Sequence, residues 1–274
     1  MGKYRGIYRS TYIPLFINIL RSVKDLTSEE EVDDKIERLL SQNAKNTRSA
    51  IKRDFKRRYL IFSEGKLVKT PLLEIVSCID DLALIRELLY YHYIRAERIG
   101  AEVVMDVLYP RLPNAEYERK EVMSYLARKM PEMAERTWYD VYSFLRTALK
   151  DFGLLKRVKD RWFAQPYLPK LESFVYALYY EFTVDQNYLN PRMSYLLGEA
   201  EFPRLFLMSH ESVRDYVQRA RRAGLISYEA CAGDEQVALI HKSLDRVTAE
   251  IIRLYGKRVG WNLRAYEHLR GKRA

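Results

Sequence analysis

The first seventy residues predict two helices followed by a hairpin. Thr27 and Ser28 precede three consecutive glutamates, a capping-box pattern that predicts a helix ending near residue 41. We expect Thr47 to cap a second helix, NTRSAIKRDFKRRY, which carries one apolar face and one basic face. The segment YLIFSEGKLVK then predicts two short strands around a Glu64–Gly65 turn.

Helical periodicity dominates the centre of the chain. Thr70–Pro71 predicts the start of an apolar helical stretch, with Asp80–Asp81 as a break and a new cap. The stretch MDVLYPRLPNAEYE contains two prolines and predicts a loop. We expect a helix over 116–130, another capped by Thr137, and then the aromatic helix LESFVYALYYEF, largely buried. Ser243 is expected to cap the last helix, LDRVTAEIIRLY.

The segment SHESVRDYVQRARRAGLISYEACAGDEQVALI carries the parts of a winged helix-turn-helix. Ser209 is a good helix N-cap, and Gly224 is a natural helix stop because glycine accepts a positive φ. Four apolar residues fall at helical spacing between them: Val213, Tyr216, Val217 and Ala220. Two strands around Gly233–Asp234 would complete the unit.

The same pattern recurs in TWYDVYSFLRTALKDFGLLKRVKDRWF. Here Thr137 is the expected cap, Gly153 the helix stop, and Lys156–Phe163 a basic hairpin. A third copy is weaker, because NTRSAIKRDFKRRYLIFSEGKLVK lacks a glycine between helix and strand. Its distinguishing feature is charge, with seven bases and one acid between Lys45 and Arg58.

These patterns predict a mostly α protein, a helical bundle with two to three winged helix-turn-helix-like units and short β-hairpins. We expect a basic helix-turn-helix-like domain over residues 1–70. The remainder, 71–274, is expected to form a helical domain with winged units at about 116–165 and 190–242.

A net charge of +10 indicates a polyanionic partner, either DNA, RNA or an acidic membrane face. A generally basic protein without such a partner is the alternative. The most apolar region, Leu72–Val107, contains ten charged residues, which a bilayer core would not accept. We therefore expect no membrane association.

Cysteine usage and the N-terminus favour a cytoplasmic protein. Cys78 and Cys231 both lie among apolar residues, which predicts buried thiols in a reducing compartment and neither a disulfide nor a thiolate metal site. The apolar run Ile13–Leu20 is too short for a signal peptide and contains Pro14.

Basic and polar residues on the predicted recognition helices and one hairpin are the candidate nucleic-acid contacts. Lysine and arginine neutralise phosphates, and arginine and glutamine read guanine and adenine. The candidates are Arg48, Lys52, Arg53, Lys56 and Arg57 on the N-terminal helix, Lys156, Arg157, Lys159 and Arg161 on the basic hairpin, and His210, Ser212, Arg214, Gln218, Arg221 and Arg222 on the last recognition helix.

Several of these features also have a purely structural interpretation. A solvated helix face explains the cations of the last recognition helix, and Glu211 and Asp215 on that helix oppose close phosphate contact. The 22 tyrosines could stack single-stranded bases, but at helical spacing they favour core packing.

The sequence carries no recognisable catalytic or cofactor motif. It has no Gly-rich phosphate loop, no HExxH and no paired-cysteine zinc pattern, and its four histidines are isolated. Asp106 with Glu118 and Lys120 imitates a metal-dependent nuclease, whose carboxylates lie on adjacent strands, whereas these segments predict helix or loop. We expect no enzyme activity, metal or cofactor.

The segments TWYDVYSFLRTALKDFGLLKR, ESFVYALYYEF and FPRLFLMSHESVRDYVQRARRAGLISYE together resemble the BrxA family of bacteriophage-exclusion (BREX) defence systems. The resemblance takes in the basic helix near the N-terminus and covers Tyr12 to Leu254. It implies a small helical, non-enzymatic DNA-binding component of a phage-defence system. Its companions there include a methyltransferase, an ATPase and a phosphatase-like protein.

We therefore expect a monomeric protein that binds double-stranded DNA mainly through phosphates, with little sequence preference. Other BREX proteins are further candidate partners. One alternative is a scaffold whose winged helices dock the partner proteins of the defence complex. A second alternative is an RNA-binding helical protein.

Overall fold

The computed structural model describes residues 11–41, 44–231 and 234–260, with the backbone alone at Cys231. These residues form a helical bundle with three antiparallel hairpins, which confirms the predicted fold class. The helices are α1 (Ile13–Val23), α2 (Glu29–Leu39), α3 (Lys45–Tyr59), α4 (Pro71–Cys78), α5 (Leu82–Ala96), α6 (Arg98–Val103), α7 (Arg119–Lys129), α8 (Glu135–Phe152), α9 (Leu171–Tyr179), α10 (Met193–Gly198), α11 (Glu201–Leu205), α12 (His210–Arg222) and α13 (Leu244–Arg258). The hairpins are β1 (Phe62–Ser63) with β2 (Lys66–Leu67), β3 (Leu155–Val158) with β4 (Arg161–Ala164), and β5 (Ser227–Cys231) with β6 (Asp234–Ala238).

Most predicted helix starts are confirmed by side-chain caps. The Ser28 hydroxyl accepts from the backbone N–H of Glu31, whose carboxylate accepts from Ser28 in return, so the capping box is complete. Similar caps are present at Thr70, Asp81, Ser209 and Ser243. Short polar side chains next to an apolar period therefore mark helix starts reliably in this chain.

Two predicted caps and one predicted loop are wrong. Thr47 and Thr137 lie inside α3 and α8, whose N-caps are Ala44 and Ala134 and have no side-chain cap. Each helix starts earlier because the alanine carbonyl already accepts an intrahelical hydrogen bond. Residues 105–111, the first half of the predicted loop, continue as π-helical and then 3-10 turns because Met105, Val107 and Leu108 are buried.

Three winged units share one order of elements. A single residue ahead of the first helix forms an isolated antiparallel bridge to the second strand of the hairpin: Ser28 to Lys66, Glu116 to Phe163, and Arg192 to Gln236. Two helices and the hairpin follow each bridging residue, with the short α11 inserted in the third unit. We call these the first unit (28–67), second unit (116–164) and third unit (192–238), and each hairpin a wing.

Positive φ angles shape the joints of these units. Gly153 and Gly224 follow α8 and α12 with φ of +88° and +69°, as predicted. Glu64 and Gly65 both have positive φ, the requirement for a two-residue type I′ hairpin turn. The tip of the third wing lies outside the described residues.

The core is built around α5 and α9. Their tyrosines Tyr90, Tyr91, Tyr93, Tyr176 and Tyr179 are fully buried, which confirms core packing for these rings. Two of the hydroxyls reach the winged units: Tyr90 donates to the carbonyl of Leu205 and Tyr179 to that of Leu225, both at 2.6 Å. The tyrosines therefore fix the third unit on the central bundle.

Two buried glutamates on the central bundle cap neighbouring helices. Glu87 accepts hydrogen bonds from the backbone N–H of Lys170, the hydroxyl of Ser173 and the hydroxyl of Tyr167. Glu181 accepts from the first backbone N–H groups of α11. Burial raises the pKa of both carboxyls, against the opposing effect of these hydrogen bonds.

The division at residue 70 stays a prediction. Helices α1 and α3 pack on α4 and α5 across that boundary, within one continuous core. Cys78 is half-buried instead of fully buried, and the side chain of Cys231 lies outside the described residues. Among the described helices, none is long and apolar enough to cross a membrane.

His92 should remain neutral over the physiological range. Its Nε2 lies 2.8 Å from the Tyr176 hydroxyl, and burial, aided by Arg95, lowers its pKa from 6.5 to about 3. Below pH 6.5 the unfolded chain binds a proton at His92, whereas the native state does not. The stability contributed by His92 is therefore lost as the pH falls through that value. Nitrogen NMR should show no titration of this ring between pH 8 and 5, with His92→Gln identifying the resonance. A midpoint within that range would contradict the expectation.

Candidate nucleic-acid interface

The basic face of α3 is largely neutralised by α2. Lys56 Nζ lies 2.6 Å from carboxylate oxygens of both Glu29 and Asp33. Lys52 lies 2.9 Å from Glu37, and Arg48 lies 3.7 Å from the same carboxylate. The acids and the bases each recur at intervals of four along antiparallel helices and form a charge ladder, defined as Glu29, Asp33, Glu37, Arg48, Lys52 and Lys56. These cations stabilise the helix pair and offer little free charge to a phosphate.

The remaining cations of α3, the predicted Arg53 and Arg57 and the unpredicted Arg58, divide between the surface and the core. Arg53 is the most exposed, at 61% of its side chain, and lies beside Asp54. Arg57 donates to the carbonyl of Ala96 and pairs with Glu97 at the end of α5. Arg58, fully buried, donates to the same Glu97 carboxylate at 2.7 Å. The structure therefore leaves Arg53 as the candidate of this helix best placed to meet an external anion.

Replacing Lys56 by alanine should affect folding more than DNA affinity. The hydrogen bonds to Asp33 and Glu29 raise the Lys56 pKa against the effect of its own burial, so the pair charges are present throughout the neutral range. We expect a loss of about 1 kcal/mol in urea unfolding and less than about a two-fold change in duplex affinity. Arg53→Ala is the matched control, with the larger effect on affinity. A larger loss of duplex affinity in Lys56→Ala than in Arg53→Ala would contradict the structural role of the charge ladder.

The second wing carries the predicted basic hairpin. Lys156 and Lys159 are exposed and have no ion-pair partner in the described part of the chain. Arg157 pairs with Asp160 inside the turn at 2.9 Å, and Arg161 lies 3.3 Å from Glu116. All four predicted residues therefore lie on one exposed hairpin. The Asp160 partner of Arg157 is 95% exposed and competes weakly with an external anion, whereas the Glu116 partner of Arg161 is 31% exposed.

The outer face of α8 was not predicted from the sequence. A stripe of exposed and half-buried residues runs along it at intervals of three and four, made up of Arg136, Tyr139, Ser143, Arg146, Thr147 and Lys150. The apolar face predicted for this helix already implied the position of the stripe, because the stripe lies on the opposite side. The cations are spaced too widely to form a charge run, whereas α3 is conspicuous for its run of bases.

A cleft opens where α7 and α8 begin. Arg119, Arg136, Glu135 and Tyr139 line an open space of about 500 Å³. The Arg119 guanidinium lies 4.9 Å from the centre of the Tyr139 ring, which holds it at the cleft. One arginine lies at the start of each helix, Arg119 of α7 and Arg136 of α8. Arg136 is 3.4 Å from Asp140, which leaves Arg119 as the cation of the cleft best placed to meet a phosphate group.

The third unit places its predicted residues along α12. His210, Arg214, Arg221 and Arg222 are exposed, whereas Ser212 is engaged with Ser209 in the N-cap. Arg214 pairs with Glu235 of the wing at 2.5 Å. Gln218 is half-buried on the same helix.

The wings differ sharply in charge. The described residues of the third wing bear the carboxylates Glu229, Asp234 and Glu235 and no base, whereas the second wing has four bases and one acid. Over their full spans, 116–165 carries eleven bases and eight acids, and 190–242 carries seven of each. Of the ten surplus positive charges, six belong to 1–10 and 261–274, outside the described residues. Of these two units, the second carries the larger positive surplus, three charges against none.

Metal ligation finds no support in the described residues, which contain no cluster of three or more histidine, cysteine, aspartate or glutamate side chains. Asp106 accepts from the Tyr125 hydroxyl and Glu118 is the N-cap residue of α7, so neither lies on a strand. The nuclease imitation noted in the sequence thus lacks the arrangement that a metal-dependent nuclease needs.

Comparison with known proteins supports the fold alone. Neither a protein-family model nor a curated protein sequence matches the chain. A solved structure of SspB is similar, with a TM-score of 0.61 over 90% of this chain and 85% of that one, at 12% sequence identity. At this identity the similarity concerns the arrangement of elements and assigns no activity or partner.

Proposed function

We propose that the protein binds double-stranded DNA mainly through phosphates and catalyses no reaction on it. The observation that carries the proposal is the second unit, where a winged topology, a polar cationic stripe on α8 and a basic wing coincide. In helix-turn-helix proteins the second helix enters the major groove and the first crosses the backbone. By that analogy α8 would enter the groove, with Arg119 of α7 and Lys156 of the wing near the flanking phosphates.

The resemblance to the BrxA family supports the same proposal from the sequence side. It would make the protein a DNA-binding component of a bacterial phage-defence system acting with other BREX proteins. The second unit refines the expected site, because α3, the helix with the densest charge, has most of its cations paired with protein carboxylates.

Fluorescence anisotropy with an arbitrary 30-base-pair duplex tests the proposal across a salt series. The protein must first be freed of co-purifying nucleic acid. We expect the logarithm of the association constant to fall with the logarithm of salt concentration with a slope of about −4 or steeper, because several phosphates are neutralised. A duplex RNA competitor distinguishes the RNA-binding alternative. Absence of binding at low salt would reject the proposal in favour of a protein-docking scaffold.

A further inference from the structure

The third unit holds one arginine of its recognition helix in a fixed position. Arg214, in the second turn of α12, donates from Nη1 to Glu235 Oε2 at 2.5 Å. The Tyr228 hydroxyl donates to the other oxygen of that carboxylate, Oε1, at 2.8 Å. Glu235 is therefore bonded at both oxygens, and it connects the helix to both strands of the wing.

This bridge leaves part of the guanidinium available. The Arg214 side chain is 49% exposed, and its Nε and Nη2 donors have no protein partner among the described residues. The pairing with Arg214, followed by the Tyr228 hydrogen bond, lowers the Glu235 pKa, so the carboxylate remains charged at neutral pH. An arginine oriented by a carboxylate loses less rotamer freedom when it forms a second, bidentate contact.

We propose that Arg214 reads guanine in the major groove and that Glu235 is its positioning residue. The inference rests on the proposed DNA binding and adds base preference to it, whereas the sequence alone led us to expect little. Residues in the N-terminal half of a recognition helix meet base edges, and arginine pairs bidentately with O6 and N7 of guanine. Arg214, at the fifth position of α12, satisfies both conditions.

The acidic third wing is compatible with base reading by α12 and phosphate binding by the second unit. Glu229 and Asp234 would repel a phosphate backbone, so the third wing is unsuited to gripping DNA in the way that the basic second wing can. Four of the six bases of the third unit lie on α12, and the Arg221 guanidinium is 5.9 Å from the centre of the Tyr228 ring. Base reading by the helix and backbone binding by the second unit thus use different surfaces.

Selection from a pool of 30-base-pair duplexes with a randomised centre tests the inference. The wild-type protein should enrich guanine at one or more positions. Replacing those guanines by 7-deazaguanine removes the N7 acceptor and should weaken binding about 5- to 100-fold. Arg214→Lys keeps the charge and a partner for Glu235 but loses the bidentate fork, so enrichment should disappear while affinity for the unselected pool stays within about three-fold. Glu235→Gln should reduce the enrichment without reducing pool affinity.

Arg192→Lys is the matched control, since Arg192 pairs with the same wing through Asp234 at 3.9 Å but lies outside α12. It should leave the enrichment unchanged, and circular dichroism melts should show that every variant is folded. Binding without base preference, enrichment that survives in Arg214→Lys, or loss of enrichment in the control would each overturn the inference. In those cases the proposed DNA binding stands, and protein docking becomes the use of the third unit. A wild-type protein that binds no duplex would reject both proposals together.

Discussion

Replacing Glu97 by alanine should lower the free energy of unfolding by about 3–5 kcal/mol, since removing one partner of a buried ion pair leaves an uncompensated charge. Glu97 is 3% exposed and accepts from both Arg57 and Arg58, and the Arg58 side chain is fully buried. The Arg58 guanidinium also lies 4.7 Å from the Tyr93 ring, so it has no route to solvent. Urea-induced unfolding followed by circular dichroism measures the loss.

The matched control for this prediction is Asp160→Ala on the second wing. Asp160 also accepts from an arginine, at 2.9 Å, but its side chain is 95% exposed. An exposed pair of this kind contributes between about 0 and 1 kcal/mol. Equal effects of the two substitutions would contradict the assignment of Glu97 as the buried link between α3 and the end of α5.

Local signals in the sequence predicted the helices and the wings well. Ser28, Ser209 and Gly224 act through the backbone within a few residues, so their effect can be inferred without knowing what the helix packs against. Thr47 and Thr137 are suitable caps, but both helices begin one turn earlier, at alanines without a side-chain cap. A capping pattern gives no signal for a helix that starts at such a residue.

The candidate site was harder to predict because it depends on which charges remain unpaired. Lys52 and Lys56 have the side chains of phosphate contacts, but their partners on α2 become evident only when the two helices face one another. The partner of Arg57 is 40 residues away, at Glu97. Net charge along the sequence therefore overstated α3. On α8 the cations are separated by several residues, and Arg136 and Lys150 pair with Asp140 and Asp151 of the same helix.

Three units of one topology on a single chain suggest a division of roles. In the first unit most cations of α3 are paired with carboxylates, the second unit carries exposed cations on its wing, and in the third unit the wing is bonded to the recognition helix. Linking weak DNA contacts on one body raises the overall affinity through effective concentration when the contacts can be engaged together. Removing the DNA contacts of one unit should then show how much of the overall affinity that unit contributes.

A quadruple alanine variant of the second unit should lose most of the duplex affinity. Arg119, Arg136, Lys156 and Lys159 line the cleft and the wing, and together they could neutralise four phosphates. The salt slope should become shallower by about 3–4, and affinity near 0.1 M salt should fall by about 10²–10³-fold, because each phosphate contact contributes about 0.9 to the slope. The loss should be similar for every sequence, since phosphate contacts carry no base information.

Removing four positive charges would by itself lower the duplex affinity. The control must therefore lose the same number of charges from another part of the surface. The control replaces four exposed cations outside the second unit by alanine: Lys69, Lys242, Arg246 and Lys257. Both variants change the net charge by the same amount, and at ionic strengths near 0.1 M fields from charges beyond about 10 Å are screened. A control that loses as much affinity as the second-unit variant would mean that binding responds to total charge. A large difference between them would place the phosphate contacts on α7, α8 and the second wing.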